Sequence, residues 1–297
     1  MSGNAGPILV TGVTGQVGGA LVTLAREAGR NMVAPTRAEL DLTTELSVRD
    51  WASRDWAAII NCAAYTAVDK AESEPELAHC INAAAPALFA EGAARRGVPL
   101  IHVSTDYVFD GSKSSPYAED DAVNPLGVYG RTKEAGEAAI RASGAQHAIV
   151  RTSWVVSAGG ANFINTMLRL GKEREELPVV YDQIGAPTHA TDLAAALLTI
   201  ADTLGDRSGT WHFANRGEAS WHELATRIFA ATRARGMKTP QLRAIPAIDY
   251  PTQAPRPANS RLALTKIAAD FGITSRHWEV AVDAILAERL GPAERQD

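Results

Sequence analysis

The sequence predicts an α/β protein, a doubly wound parallel sheet with helices on both faces and a smaller C-terminal lobe. Three observations predict it. Short apolar runs alternate with longer segments of helical period as far as residue 152. The runs are apolar throughout rather than at every second residue, which is the pattern of strands buried on both faces. The resulting βαβαβ order requires parallel strands joined by helical crossovers. The chain has 297 residues, 46% hydrophobic and 21% charged, enough to bury a core without covalent staples.

The elements follow in order. Ile8–Thr11 is the first apolar run, and Gly15–Ala28 reads as a helix with Val17, Ala20, Leu21 and Leu24 on one face. Met32–Ala34 and Ala57–Cys62 are the second and third runs, Pro75–Arg96 a long helix, Leu100–Ser104 the fourth run, Pro125–Ala142 a helix and Ala148–Thr152 the fifth run. Beyond Arg151 the pattern loosens. Gly159–Pro178 reads as a helix followed by the charged stretch Lys172–Glu176, and Thr188–Leu204 as a helix capped by Thr188 or Thr191. Gly209–Asn215 is strand-like, and Ser220–Arg235 is a helix opened by a Ser220/Glu223 capping box. Four prolines make Ile245–Pro257 an extended surface loop, and Ala263–Phe271 and His277–Leu290 finish the chain as helices.

Composition removes several classes of function. A net charge of −5 argues against nucleic acid as the partner, because phosphate binding wants a basic face. The two cysteines, Cys62 and Cys80, form no CxxC pair, so reduced thiols are expected. No apolar run suits a signal peptide or approaches the roughly 20 residues of a membrane span, so a cytoplasmic protein without membrane contact is expected. The seven histidines, at 79, 102, 147, 189, 212, 222 and 277, are scattered; all are read as structural or surface residues, and no metal site is expected.

Thr11 to Gly18 carries the first chemical signal. Gly12, Gly15 and Gly18 give G-x-x-G-x-x-G between a strand and a helix, the arrangement of a Rossmann-type dinucleotide loop. The glycines allow a tight turn and close backbone approach, and Gln16 and Val17 lie at the helix N-terminus, whose free N–H groups face a pyrophosphate. After the second run no acidic residue stands ready for a ribose 2′-hydroxyl. Arg37 stands there instead, either as the partner of a 2′-phosphate or as a solvated loop residue, and Asp41 and Leu42 lie where an adenine would come. The cofactor is therefore NADPH or NADH. Residues 1–153, with 188–213 returning to them, are assigned to the dinucleotide-binding domain, and 154–187 with 214–297 to a substrate-binding lobe.

Tyr129 and Lys133, four apart in a helical segment, share a face. Thr105 lies at the carboxyl end of the fourth run, where open α/β sheets collect ligands. Hydride reduction of a ketone creates an alkoxide that must be protonated. A tyrosine can donate that proton, a neighbouring lysine would lower its pKa, and a threonine hydroxyl can hold the carbonyl oxygen. Asn82, in the long helix, is read as structural.

At these residues the chain resembles the extended short-chain dehydrogenase/reductase superfamily, and within it the dTDP-4-dehydrorhamnose reductase family. The resemblance rests on GVTGQVG at 12–18, NCAAYTAVDKAE at 61–72, STDYVF at 104–109, YGRTK at 129–133, RTSWV at 151–155, DQIGAPT at 182–188 and RPANSRL at 256–262. It implies hydride transfer from NADPH or NADH to C4 of dTDP-6-deoxy-L-lyxo-4-hexulose, giving dTDP-L-rhamnose. Tyr129 would be the proton donor to the C4 oxygen and Lys133 its partner and a cofactor ligand. Thr105, Asp106 and Trp154 would touch the hexose, with lobe packing the alternative for Trp154. Ala63, Ala64, Tyr65 and Thr66 would line the cofactor. Arg256 and Asn259 would reach the diphosphate, unless Arg256 is a surface residue of its proline loop. Tyr65 stands where the family often has histidine. Some members dimerise through a metal held by glutamates; the first such position falls near Ala20, so a homodimer stays open but that metal is not expected. Two competitors remain, a nucleotide-sugar epimerase or dehydratase on the same fold and a non-catalytic regulatory subunit of methionine adenosyltransferase.

Overall fold

The computed structural model describes residues 6–291; the outer ends of the two assigned domains, 1–5 and 292–297, lie outside the described residues. The first half contains β1 (Ile8–Thr11), α1 (Gln16–Glu27), β2 (Met32–Val33), α2 (Glu45–Ala52), β3 (Ala58–Asn61), α3 (Val68–Ala71), α4 (Pro75–His79), α5 (Ala85–Arg96), β4 (Leu100–Thr105), α6 (Val128–Ala142) and β5 (His147–Thr152). The second half contains β6 (Val155–Val156), α7 (Phe163–Glu173), β7 (Glu176–Val180), β8 (Ile184–Gly185), β9 (Thr188–His189), α8 (Ala190–Thr203), β10 (Gly209–His212), β11 (Ala219–Ser220), α9 (Trp221–Arg233), β12 (Gln241–Ile245), α10 (Thr265–Phe271) and α11 (Trp278–Leu290).

The central sheet has the order β10-β5-β4-β3-β1-β2, and every pairing is parallel. The chain leaves β1 toward β2 and returns to the other side of β1 as β3. The crevice at the carboxyl ends of β1 and β3 is thus the topological switch point, where ligands of such sheets bind. Apolar side chains cover both faces. Val10, Ile60, Ile101 and Val150 pack with Leu21 of α1 and Leu193 and Leu197 of α8 on one side. Leu9, Ile59, Leu100 and Ile149 pack with Val48 of α2, Phe89 of α5 and Ile140 of α6 on the other.

A third core holds the lobe, with Ile164 and Leu168 of α7, Leu224 and Ile228 of α9, and Val282 and Ile285 of α11 around Leu177 and Val179 of β7. α8 and β10 belong to the sheet, and α10 joins them: Ile267 lies in the sheet core, Phe271 meets Trp211 edge-on at 5.0 Å, and the Trp211 indole donates to Asp270.

Several elements differ from the sequence reading. The charged stretch after α7 ends in a strand, β7, paired in parallel with β12 from Glu176↔Gln241 to Val180↔Ile245. Both strands are short, carry polar residues at exposed positions and find their partner far away in sequence, so no local pattern marks them. Neither Thr188 nor Thr191 caps α8. The Thr188 N–H is committed to the Trp154 carbonyl, and His189 is the cap, its Nδ1 accepting from the Thr191 N–H. The capping box of Ser220 and Glu223 is present as read.

The long helix after Pro75 is broken by a π-helical turn at Cys80–Ala84. Pro86 has no N–H to give to the carbonyl of Asn82 four residues earlier, so the helical ladder is interrupted there. The freed carbonyl faces α6 at Gly136, where a Cβ would overlap it. Gly130 meets the Tyr107 carbonyl in the same way. The N-terminus of α6 is closed by Glu72, whose Oε1 accepts the Val128 N–H at 2.7 Å. Gly136→Ala is therefore expected to lose about 1–3 kcal/mol of stability through overpacking. A urea titration checks this, and an unchanged midpoint would mean that α6 does not pack so closely.

Candidate active site

The loop after β1 is held shut by its glycines. Gly12 lies at φ +71°, and a Cβ there would stand 2.6 Å from the Ala63 backbone nitrogen. A Cβ on Gly18 would overlap the Gly12 carbonyl. The Gly15 N–H closes the turn on the Gly12 carbonyl at 2.9 Å. The first turn of α1 has no side-chain cap and opens into a cavity of about 590 Å³. The donors of the helix N-terminus and a backbone that no side chain crowds suit a pyrophosphate.

The cavity runs the length of the crevice. At one end it is lined by Pro35, Arg37, Asp41, Leu42 and Thr43. Asp41 does not reach in as a free carboxylate: its Oδ1 accepts from the backbone N–H and the hydroxyl of Thr43. Gly12 to Gly18, with Gln16 and Val17, form one wall, and Ala63, Ala64 and Thr66 follow β3 along the floor. Gln16 also ties the loop to the lobe, its Oε1 accepting from Ser157 Oγ at 2.6 Å and Asn162 Nδ2 at 2.9 Å.

Thr105, Asp106, Tyr129 and Lys133 meet in the middle. The Thr105 hydroxyl, beside Tyr129, donates to Asp106 Oδ1 at 2.9 Å. Tyr107 packs edge-on against Tyr129 at 5.5 Å. Burial pushes Tyr129 up to about 12. The expected pairing of lysine with tyrosine is replaced by another. Lys133, 1% exposed, donates to the Val103 carbonyl at 2.8 Å and stands 3.1 Å from His102 Nε2. Burial pulls it down to about 8, with Glu137 opposing. The protein itself therefore does not lower the tyrosine pKa through the lysine.

The lobe supplies the last wall. Trp154 stacks on Trp221 at 3.5 Å and 9°, and both line the cavity. Trp154 has φ +46°, a left-handed conformation rare for a bulky residue. The indole lies over Gly185, where a Cβ would come within 2.6 Å of it. Trp221 was not singled out from the sequence, where it is one of six tryptophans in a helical pattern.

Three expected site residues do not line the cavity. Tyr65 is not in the cavity wall; its hydroxyl donates to Glu74 at 2.6 Å, and its backbone is clamped by Asn82, whose Oδ1 accepts the Tyr65 N–H and whose Nδ2 donates to the Tyr65 carbonyl. Asn259 is buried, with its amide used by the Lys113 and Ser115 carbonyls and by Arg261, so it pins a loop instead of reaching a ligand. Arg256 is outside the cavity wall, paired with Asp69 at 2.7 Å. His102, expected to be a structural or surface histidine, is buried beneath the cavity floor beside Asn61, to which the sequence assigns no role. Thr11 Oγ1 donates to Asn61 Oδ1 at 2.6 Å, and Asn61 Nδ2 is 3.0 Å from His102 Nδ1. Among the described residues, no group of three or more His, Cys, Asp or Glu is placed to hold a metal, and no helix is long and apolar enough to cross a membrane.

A glycine-lined pyrophosphate cradle at the switch point, facing a buried threonine, tyrosine and lysine, defines a dinucleotide-dependent oxidoreductase site of the short-chain dehydrogenase/reductase class. Comparison with known proteins narrows the class. Residues 6–290 match the family model described as the RmlD substrate binding domain. The chain is 44% identical over 281 residues to the dTDP-4-dehydrorhamnose reductase of Sinorhizobium fredii, covering 92% of this chain and 94% of that one. A crystal structure of a dTDP-4-dehydrorhamnose reductase from Clostridium acetobutylicum superposes with a TM-score of 0.89 at 35% identity, over 95% of this chain and 99% of that one. Another from Bacillus anthracis, in complex with NADP, also gives 0.89 at 33% identity, with the same coverage. The chain belongs to the dTDP-4-dehydrorhamnose reductase family.

Asp106 offers a test of the site's electrostatics. Burial raises its pKa to about 6, against the hydrogen bond from Thr105. The folded protein then binds more protons than the unfolded chain between about pH 4 and 6, so stability falls as pH rises through that window. Asp106→Asn is expected to raise the melting temperature at pH 7.5, with the gain shrinking toward pH 4.5. Equal shifts at both pH values would refute the raised pKa.

Proposed function

We propose that the protein reduces the C4 ketone of dTDP-6-deoxy-L-lyxo-4-hexulose to give dTDP-L-rhamnose, with NADPH or NADH as reductant. The observation that carries this reading is the convergence of Thr105, Tyr129 and Lys133 on one wall of the cavity that starts at the glycine loop. Bound there, the reduced nicotinamide supplies the hydride. Every other part of the task falls to the chain. The N-terminus of α1 and the Gly12–Gly18 backbone hold the pyrophosphate. Thr105 orients the carbonyl oxygen and Tyr129 delivers its proton to the alkoxide. The Trp154–Trp221 stack offers a flat apolar face to a deoxyhexose ring and excludes water from the reacting centre. Residues 1–153 with 188–213 act as the dinucleotide-binding domain, with α10 packed against it, and the rest of 154–187 and 214–297 as the substrate lobe. Arg256 serves the diphosphate from the rim by exchanging Asp69 for a phosphate, which a planar guanidinium can grip with two N–H groups.

The direct assay follows oxidation of NADPH with dTDP-4-keto-6-deoxyglucose, with and without the 3,5-epimerase that supplies the L-lyxo sugar. Epimerase-dependent turnover yielding dTDP-rhamnose is expected; folded protein that binds the dinucleotide yet shows no turnover would refute the assignment. Tyr129→Phe is expected to lower kcat about 10²–10⁴-fold with little change in dinucleotide affinity; near-parental kcat would remove Tyr129 as the acid. Arg37→Ala is expected to raise KM for NADPH more than for NADH, and equal effects would return Arg37 to solvent.

A further inference from the structure

The side chains beneath the active-site floor form one hydrogen-bonded chain, Thr11–Asn61–His102–Lys133, and this chain has a direction. Asn61 Oδ1 accepts from Thr11 Oγ1 and also from the Ala63 backbone N–H at 3.2 Å. A backbone N–H can only donate, so the amide turns its oxygen toward Ala63 and its nitrogen toward His102 Nδ1, 3.0 Å away. An amide nitrogen also only donates. His102 Nδ1 is therefore the acceptor, and the neutral imidazole carries its proton on Nε2. Nε2 lies 3.1 Å from Lys133 Nζ. An N–H placed there must meet a lone pair. An ammonium has none, whereas the neutral amine has one and still donates to the Val103 carbonyl.

We propose that His102 is the positioning residue that sets the charge of Lys133. In the protein alone the chain donates step by step from Thr11 into a neutral lysine amine, and charging the lysine reverses it. On reversal the Nε2–H bond breaks and its proton bonds to Nζ, while one proton from solvent bonds to Nδ1. Asn61 then turns its oxygen to Nδ1–H and its nitrogen to Thr11 Oγ1, and the Ala63 N–H, which lies 3.4 Å from Thr11 Oγ1, keeps that oxygen as its acceptor. The net change is the uptake of one proton.

Other groups facing the lysine fit this balance. Glu137, one turn further along α6, favours the ammonium but is itself paired with Arg151 of β5 at 2.7 Å. Cys62 lies beyond β3 and Tyr129 on α6, and burial holds both in their neutral forms. Burial also holds His102 well below its usual range. Thr11 opens the glycine loop, so the chain joins the phosphate cradle to the lysine through buried groups. Its use in catalysis, a lysine that takes up its proton when the dinucleotide arrives, rests on the proposed reaction.

The test reads the imidazole directly. Histidine-ring ¹⁵N NMR at pH 7, with the His102 signals assigned by their loss in His102→Gln, is expected to show the Nε2–H tautomer. An Nδ1–H tautomer or an imidazolium would overturn the proposal. No substrate is needed, so a failed reductase assay leaves this measurement valid, and a wrong tautomer leaves the reductase reading standing. Asn61→Asp supplies a group that can only accept. It is expected to switch His102 to the Nδ1–H tautomer and to move the alkaline inflection of kcat up by about one pH unit or more, a tenfold change in proton affinity. A folded Asn61→Asp protein with the tautomer and inflection unchanged would also overturn it. Should that variant fail to fold, His102→Gln, whose amide oxygen accepts from an ammonium, is expected to move the inflection the same way, and an unmoved inflection would count against the proposal.

Discussion

A lysine that α6 buries almost completely against strand β4 is the constraint on which this site depends. An isolated charge in that position would be prohibitive, and even a neutral amine needs its hydrogen bonds supplied. The protein meets this from four directions, with the Val103 carbonyl and His102 on β4, Glu137 on the same helix, and Arg151 on β5 neutralising Glu137. To bring Lys133 so deep, α6 must press against the 106–108 turn and the π-helical turn, and this is why Gly130 and Gly136 have no side chains on that face. Tyr129, one turn earlier, is carried into the cavity by the same approach. Glu72 fixes the start of that helix, so an acidic residue remote from the cavity helps set where the tyrosine points.

Much of the fold was legible because its signal is local. A sheet strand buried on both faces needs a continuous apolar stretch, and Ile8–Val10, Ala58–Ile60 and Ala148–Val150 supply it in β1, β3 and β5, as Leu100, Ile101 and Val103 do around His102 in β4. The glycine loop and the Tyr129/Lys133 spacing were legible for the same reason, since each needs only neighbours in sequence. What stayed hidden depends on partners brought from afar. β7 and β12 are strands only because they find each other. Trp221 is a site residue only because Trp154 faces it. His102 sits inside an apolar run with nothing beside it to suggest that Asn61 and Lys133 approach from either side. The resemblance carried roles onto Tyr65, Asn259 and Arg256 by position alone, and it could not register that the side chains of the first two are committed to protein partners. The NCAAYTAVDKAE stretch holds much of its meaning in contacts of this kind, with Asn61 under the floor, Asp69 on Arg256 and Glu72 on α6.

The aromatic wall shows how the lobe makes the cavity. Trp154 lies two residues beyond the end of β5, where the chain leaves the sheet, and its left-handed backbone turns the indole across the crevice. A conformation of that kind costs on the order of 1–3 kcal/mol and persists only when its surroundings determine it. Here they do: Trp221 stacks on one face, Gly185 leaves room for the ring, and the Thr188 N–H holds the Trp154 carbonyl.

The lobe's core is assembled from three separate stretches of chain, α7 with β7, then α9 with β12, and finally α11, with α8 and β10 returning to the sheet between the first two and α10 between the last two. Loops must close over long sequence separations before β7 and β12 can pair, which slows formation of such contacts. During synthesis the sheet strands β1 to β5 are complete well before α11 leaves the ribosome, so the growing chain holds a finished half of the crevice facing an unfinished one. The lobe is consequently not a portable module. No single cut releases it, grafting it would require three separate segments to be placed at once, and a truncation before α11 would remove Trp278, Val282 and Ile285 from its core and leave the remaining apolar faces open to aggregation.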